Sequence, residues 1–84
     1  MRNNAGYSII KSIQLPNVEF VLGEKANERG TKYVTWRCPN GSDYYYGHYI
    51  EDRASATLDL YERAQEEISF IISQLKEQKE NGTK

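Results

Sequence analysis

The residues best suited to chemistry or recognition lie together in one short stretch, Asp43–Tyr49. This stretch reads Asp-Tyr-Tyr-Tyr-Gly-His-Tyr and holds four of the seven tyrosines of the chain, together with its single histidine. An imidazole could act as a general base near neutral pH. Tyrosine rings could contact a protein partner or stack on nucleic-acid bases. Such an aromatic run is typical of a binding or packing surface rather than of an active site.

As a catalyst, His48 would require a carboxylate to orient its ring and a group for it to activate. Asp43 lies five positions away and reaches the ring only if the intervening chain turns tightly. The sequence contains no serine-centred nucleophile elbow and no second histidine. We therefore predict no catalytic residues, and we interpret His48 as a hydrogen-bonded or solvent-facing histidine of a protein that is not an enzyme.

The single cysteine, Cys38, is interpreted as a buried, inert thiol. One cysteine and one histidine cannot supply a zinc site or an internal disulfide. The glycines are scattered and form no phosphate-binding loop. We therefore predict neither metal nor cofactor, and a lone thiol favours a reducing, cytoplasmic compartment.

The composition describes a single small domain over residues 1–84, with disorder expected at residues 1–6 and 81–84. The net charge is −1, and no block of like charges marks a nucleic-acid surface. The N-terminal apolar residues are interrupted by Ser8, Lys11 and Ser12. This pattern predicts neither a signal peptide nor a membrane span.

Alternating apolar and polar residues predict the β-strands that must position the aromatic run. The predicted strands are 7–15, 18–22, 33–38 and 44–50. The polar segment Glu24–Thr31 between the second and third strands is predicted to be a mobile loop. Asn40-Gly41 between the last two strands indicates a two-residue hairpin turn, and a longer loop from Pro39 to Asp43 is the alternative.

A long helix is predicted after Asp52, whose carboxylate suits an N-cap. Apolar residues then recur every three or four positions, and Asn81-Gly82 provides the stop. The predicted stripe comprises Ala54, Leu58, Tyr61, Ala64, Ile68, Ile71, Ile72 and Leu75. The predicted fold class is α+β: a three- or four-stranded antiparallel meander sheet, followed by one long C-terminal helix packed on one face.

A helix of about 28 residues would be about 42 Å long, whereas a seven-residue strand spans roughly 23 Å. The helix should therefore extend beyond the sheet, although its last turns carry Phe70, Ile71 and Leu75. The N-terminal segment could fold back over these residues, or they could form a homodimer or partner contact. Fraying of the helix end is the third alternative.

A two-residue turn would place Trp36 opposite Tyr45 and divide the hairpin into two faces. The more apolar face, with Val34, Trp36, Cys38, Tyr45, Gly47 and Tyr49, is expected against the helix. The other face would present Tyr33, Thr35, Arg37, Tyr44, Tyr46 and His48 to solvent. We predict that Arg37, Tyr44, Tyr46 and His48 bind a partner there. A register shift of one residue would exchange the two faces.

The segment from Phe20 to Arg63 resembles a family of small proteins encoded on conjugative transposons and related mobile elements of Gram-positive gut bacteria. Four motifs carry the resemblance: Phe20-Val21-Leu22-Gly23-Glu24, Tyr33-Val34-Thr35-Trp36, Asp43-Tyr44-Tyr45-Tyr46-Gly47-His48-Tyr49 and Asp52-Arg53. The family usually has tryptophan where this chain has Tyr46. The family has no assigned activity, so the resemblance implies a genomic setting and an accessory role rather than a mechanism.

These observations favour a non-enzymatic, protein-binding accessory protein of a mobile element. Tyrosine and arginine are enriched at the centres of protein interfaces. Single-stranded nucleic-acid binding through the same aromatic face is the alternative. It is the less favoured of the two because Asp43, Glu51 and Asp52 beside the patch would repel phosphates.

Overall fold

The computed structural model describes residues 2–82, with side chains described as far as Lys79. It contains five strands and one helix: β1 (Asn3–Asn4), β2 (Tyr7–Gln14), β3 (Glu19–Asn27), β4 (Gly30–Cys38), β5 (Tyr45–Ile50) and α1 (Arg53–Gly82). The strands form one antiparallel sheet in the order β1-β2-β3-β4-β5. The predicted α+β meander followed by a C-terminal helix is confirmed, but the sheet has five strands rather than three or four.

The additional strand, β1, lies in the N-terminal segment for which we expected disorder. Ala5 and Gly6 both have positive φ, 52° and 83°, which reverses the chain in two residues and pairs Asn4 with Tyr7. The Ile9 amide also donates to the Arg2 carbonyl at 2.8 Å. The disorder predicted for residues 1, 83 and 84 concerns positions outside the described part of the chain.

The polar segment Glu24–Thr31, predicted to be a mobile loop, is the tip of a long β-hairpin. Strands β3 and β4 pair without interruption from Glu19↔Cys38 to Asn27↔Gly30. The Asn27 side chain accepts a hydrogen bond from the Arg29 amide at 2.8 Å, and Gly30 has a φ of 126°. Asparagine at the first and glycine at the last position of a four-residue turn is the usual pattern for closing such a reversal.

The connection between β4 and β5 is a loop over residues 39–44 rather than the predicted two-residue turn. Asn40 accepts hydrogen bonds from the amides of Ser42 and Asp43, which fixes the loop locally. Arg37 pairs with Tyr45 and Thr35 with His48, and the register shifts between these two pairs. The extra residue is accommodated at Tyr46, which has a φ of 53°.

The helix covers the face of the sheet opposite to the one we predicted. The buried core between sheet and helix consists of Val18, Phe20, Leu22, Ala56, Leu60 and Ala64. The strand residues Thr35, Arg37 and His48 contact helix side chains through hydrogen bonds. Polar pairs, rather than apolar contacts, join this part of the sheet to the helix. The apolar residues of the hairpin therefore did not indicate which of its faces packs against the helix.

The apolar hairpin face, apart from Tyr45, which pairs with Arg37, instead lines the inside of a curled sheet. The rings of Tyr7 on β2 and Tyr49 on β5 lie 6.4 Å apart, whereas a flat sheet would separate these strands by about 14 Å. The buried cluster on this concave side comprises Tyr7, Val21, Val34, Trp36 and Cys38. A Cβ added at Gly47 would lie 2.9 Å from Trp36 Nε1. The absence of a side chain at Gly47 thus allows the Trp36 indole to approach the backbone of β5.

Helix α1 begins as predicted, since the Ser55 amide donates to Asp52 Oδ2 at 2.8 Å. This hydrogen bond holds the pKa of Asp52 below its usual value. Ala64 of the predicted stripe is buried, but the other core positions are Ala56 and Leu60, and Leu58 of the stripe is 59% exposed. The two alanines allow the helix backbone to approach the sheet, and Leu60 fills the space between them.

The helix extends beyond the sheet, as its length predicted, and the molecule is elongated. Its principal dimensions are 62 × 24 × 17 Å. The radius of gyration is 15.6 Å, compared with about 12 Å for a compact domain of this length. Within the described residues, no helix is long and apolar enough to cross a membrane.

Candidate functional site

A network of polar side chains, here called the polar junction, joins the helix to strands β4 and β5. Its centre is Asp59, which accepts a hydrogen bond from the Thr35 hydroxyl and lies 2.9 Å from His48 Nδ1. Arg63 Nη1 donates to both the carbonyl and the hydroxyl oxygen of Thr35, each at 3.0 Å. The junction therefore fixes the His48 ring through Nδ1 and connects two layers of the fold.

Two arginines enclose the aromatic floor of this junction. The guanidinium groups of Arg37 and Arg63 lie 5.7 and 5.8 Å from the centre of the Phe20 ring. Arg37 Nη1 also donates to Glu67 Oε1 at 3.1 Å. Burial lowers the pKa of Arg63, although the carboxylate of Asp59 opposes that shift. Both cations are thus engaged in contacts within the domain.

A cleft of about 380 Å³ opens over the polar junction. It is lined by Phe20, Arg37, His48, Asp59, Glu62, Arg63 and Glu66. A histidine held at Nδ1 by a carboxylate has the arrangement of an oriented general base. The orienting carboxylate is Asp59 rather than Asp43, whose side chain accepts from Asn40. The lining residues include no serine, threonine or cysteine that this base could activate.

Cys38, the other reactive residue type in the chain, lies on the opposite side of the sheet. It is 1% exposed, and burial raises the pKa of its thiol. A buried thiol with a raised pKa is a poor nucleophile. This agrees with the interpretation of Cys38 as an inert core residue.

The structure does not bring Arg37, Tyr44, Tyr46 and His48 together on one solvated face. Arg37 and His48 belong to the polar junction beneath the helix. Tyr44 lies on the concave side, where its ring is 5.4 Å from that of Trp36 and its hydroxyl accepts from Arg2 Nε at 3.0 Å. Of the four predicted residues, Tyr46 is the most exposed, at 75%, and the His48 side chain is 50% exposed at the border of the polar junction.

Tyr46 belongs to an exposed aromatic strip on the outer strand of the sheet, here called the tyrosine edge. The strip consists of Tyr45 and Tyr46, which are 47% and 75% exposed, whereas Tyr49 lies near Tyr7 on the concave side. The rings of Tyr45 and Tyr46 lie 6.3 Å apart. Strand β5 pairs with β4 on one side and forms an edge of the sheet on the other. The tyrosine edge thus combines exposed rings with the backbone of an edge strand.

Sequence reasoning missed the helix side of the polar junction. Asp59, Arg63 and Glu67 are spaced four residues apart, which is the spacing of exposed ion pairs along a helix. In the structure each of them instead contacts the sheet. The available signal was the spacing of Ala56, Leu60 and Ala64, because residues one turn along from these positions share their side of the helix.

The distal part of the helix projects away from the sheet. Within the described residues, Glu67 is the last helix side chain that hydrogen-bonds to a strand. Phe70 and Leu75 are exposed, and Ile71 is half-buried. The N-terminal segment does not fold over this end, since Arg2 contacts Glu19 and Tyr44 on the concave side.

Comparisons with known proteins leave the geometry as the main guide to function. No protein-family model matches this sequence, and neither a search of curated proteins nor a search of solved structures finds a match.

Proposed function

We propose that this domain is a non-enzymatic protein-binding module that uses the tyrosine edge as its contact surface. The observation that carries this proposal is the backbone of Tyr46, which holds a left-handed conformation while its side chain is 75% exposed. A large aromatic residue in that conformation is strained by about 1–2 kcal/mol. Among the residues that the structure describes, neither core packing nor a hydrogen bond to the Tyr46 side chain compensates this strain.

Strained residues that project into solvent are concentrated at binding sites, where the contact with a ligand repays the strain. At the bulge, the rings of Tyr46 and Tyr45 also lie close to each other, with 6.3 Å between their centres. Adjacent exposed tyrosines provide a large contact area with little side-chain entropy to lose. This combination supports a protein partner.

Single-stranded nucleic acid is the alternative ligand for the same rings. Against it, three arginines near the sheet are already paired with carboxylates: Arg2 with Glu19, Arg37 with Glu67 and Arg53 with Glu24. A phosphate backbone would have to displace these carboxylates to reach the arginines. The net charge of −1 offers no compensating attraction.

The non-enzymatic part of the proposal is supported by the cleft over the polar junction. His48 there has an orienting carboxylate but no neighbouring nucleophile among the lining residues. The proposal of a cytoplasmic accessory protein of a mobile element follows from the resemblance of Phe20–Arg63 and from the single thiol.

The test is capture of partners from a nuclease-treated Gram-positive lysate by the tagged protein and by two matched variants. Tyr46→Ala removes a ring of the tyrosine edge, whereas Tyr61→Ala removes a 51% exposed ring on the helix. We expect one host protein to be retained by the wild type and by Tyr61→Ala, and to be lost by Tyr46→Ala. Equal retention of that host protein by all three proteins would show that the tyrosine edge is not the contact surface.

The alternative has its own signature in the same experiment. If the tyrosine edge binds nucleic acid, the wild type should capture nucleic acid from a lysate without added nuclease, and Tyr46→Ala should not. That binding should weaken steeply between low and high salt, because cations are released from phosphates. A protein contact through uncharged tyrosines should change little over the same range.

A further inference from the structure

The open end of the concave side carries two lysines directly opposite each other. Lys25 on β3 pairs with Lys32 on β4, two residues beyond the pair of Gly23 with Val34. Val34 belongs to the concave cluster, and side chains alternate along a strand, so both lysines project to the concave side. Side chains at such opposed positions lie about 5 Å apart, and like charges there destabilise a sheet. The lysine pair therefore lowers the stability of the isolated domain.

Contacts within the domain hold one of these lysines in place but neutralise neither. Lys25 Nζ lies 5.5 Å from the centre of the Tyr7 ring. A Cβ added at Gly6 would lie 3.2 Å from the same nitrogen. Among the side chains that the structure describes, no carboxylate forms a salt bridge with Lys25, Lys32 or Arg29. Positive charge at this end of the sheet is thus open to a ligand.

Two clefts meet at Lys32. The first has a volume of about 370 Å³, and Tyr7 and Tyr49 form part of its wall. The second has a volume of about 310 Å³ and extends to Arg29 at the tip of the hairpin. Because both clefts are lined by Lys32 and Glu51, they form one elongated depression. This depression with its cations is here called the basic groove: Tyr7, Lys25, Arg29, Lys32 and Tyr49.

The cations of the basic groove favour an anionic ligand, but its shape does not suit a nucleic acid. Tyr7 is 8% exposed, and its ring lies 6.4 Å from that of Tyr49 at an interplanar angle of 59°. These two rings contact each other at a tilt, so they leave no slot in which a base could stack. Glu51 would also lie against a phosphate backbone, which carries a negative charge at every nucleotide.

An acidic peptide avoids both conflicts. One carboxylate has two oxygens and can accept hydrogen bonds from the Lys25 and Lys32 amino groups at the same time. The other residues of the peptide need carry no charge, so Glu51 can accept from a peptide amide instead of repelling the ligand. Tyr49 is 69% exposed, and an apolar side chain of the peptide can pack on its ring.

We propose that the basic groove binds an acidic segment of a protein partner, with one carboxylate between Lys25 and Lys32 and an apolar side chain against Tyr49. Binding removes the repulsion between the two lysines, so the pair that destabilises the free domain stabilises the complex. The tyrosine edge is a separate surface, since Tyr45 lies opposite Arg37, about 17 Å from Lys32 along β4. The inference adds a second surface to the proposed protein-binding function and holds whether or not the tyrosine edge binds.

Fluorescence anisotropy with two labelled peptides tests this proposal. The acidic probe has a central leucine flanked by glutamate and serine residues, and the neutral probe has glutamine in place of each glutamate. Lys25→Gln and Lys32→Gln each remove a cation of the basic groove. Lys11→Gln is the matched control, because Lys11 lies 5.7 Å from the Tyr61 ring, much as Lys25 lies over Tyr7, but is outside the groove.

We expect the wild type and Lys11→Gln to bind the acidic probe at concentrations below about 1 mM, and each groove variant to bind it about tenfold more weakly, since a charge-assisted hydrogen bond is lost. The neutral probe should not bind. Absence of binding of the acidic probe to the wild type, or equal weakening by Lys11→Gln, would overturn the proposal. So would tighter binding of labelled oligothymidine that Lys32→Gln abolishes, since the groove would then be a nucleic-acid site.

Urea unfolding distinguishes loss of the groove from loss of the fold. Because Lys32 repels Lys25 in the free domain, Lys32→Gln should unfold at a higher urea concentration than the wild type. The increase should shrink at high salt, which screens exposed charges. A lower midpoint would show that Lys32 stabilises the free fold, and it would contradict the repulsion on which the proposal rests.

Discussion

Replacing Arg2 by alanine should destabilise this fold more than replacing its partner Glu19 by glutamine. Two guanidinium nitrogens of Arg2 donate to the two carboxylate oxygens of Glu19, at 2.8 and 2.9 Å. The side chains are 38% and 9% exposed, respectively. The arginine can therefore be hydrated if it loses its partner, whereas the carboxylate cannot.

The size of the destabilisation follows from this difference in exposure between Arg2 and Glu19. Breaking a fully buried ion pair costs about 3–5 kcal/mol and an exposed one about 0–1 kcal/mol. Because Arg2 is more than one-third exposed, we expect Arg2→Ala to reduce the free energy of unfolding by about 2 kcal/mol, which lies between these limits. Glu19→Gln leaves no buried charge and should reduce it by about 1 kcal/mol.

Urea unfolding followed by the fluorescence of Trp36, which is 4% exposed, provides the assay. The double variant Arg2→Ala/Glu19→Gln tests the reasoning directly. If the penalty in Arg2→Ala comes from the stranded carboxylate, removing that charge should make the double variant no less stable than Arg2→Ala alone. A double variant whose destabilisation equals the sum of the two single effects would refute the argument.

Because of the ion pair between Arg2 and Glu19, the stability of the fold should depend on pH. Arg2 and a hydrogen bond from Ser12 hold the pKa of Glu19 below its ordinary value of 4.5, although burial opposes the shift. The ionised carboxylate thus stabilises the fold above about pH 4.5, and this contribution is lost as the pH falls through the lowered folded-state pKa. The difference in stability between wild type and Arg2→Ala should be largest at neutral pH and should shrink in acid. A difference independent of pH would exclude the charge as its source.

Three further substitutions and one control substitution, Leu58→Ala, test the core, the curl of the sheet and the strained bulge by the same unfolding assay. Leu60→Ala should lower the free energy of unfolding by about 3 kcal/mol, because Leu60 is fully buried. Leu58 is exposed, so Leu58→Ala should change this free energy by less than about 0.5 kcal/mol. Gly47→Ala should destabilise by about 1–3 kcal/mol, since its Cβ would meet the Trp36 indole, and an unchanged stability would contradict that close approach. Tyr46→Gly should stabilise by about 1 kcal/mol by relieving the left-handed backbone, whereas any destabilisation would show that the ring is held by the fold.

Helices and strands were predictable from the sequence where a local pattern of residues is compatible with one type of secondary structure. Alternation located the strands, and Asp52 followed by a change to helical spacing located the start of α1. The extension of β3 and β4 towards the Asn27–Gly30 turn was missed because Glu24 and Lys25 are charged, although hydrogen bonding to β4 requires no apolar side chains. Strand β1 was missed because two asparagines carry no strand signal.

The candidate site was less predictable, because its geometry depends on long-range contacts. A single extra residue at Tyr46 moves His48 relative to Arg37, and the sequence does not reveal where a strand accommodates a bulge. The charges at Asp59, Arg63 and Glu67 have the spacing of an exposed helix face whether or not a sheet lies against them. The contacts of Asp59 with the sheet depend on the fold, which places Thr35 and His48 opposite it.

The projecting helix also determines how this protein moves through solution. A particle with dimensions of 62 × 24 × 17 Å experiences more hydrodynamic friction than a sphere of the same 9.7 kDa mass. A single copy should therefore leave a size-exclusion column early, at a volume expected of a heavier protein. Elution volume alone would thus suggest a dimer even for a monomer. Light scattering or sedimentation equilibrium, which report mass rather than friction, can distinguish the two.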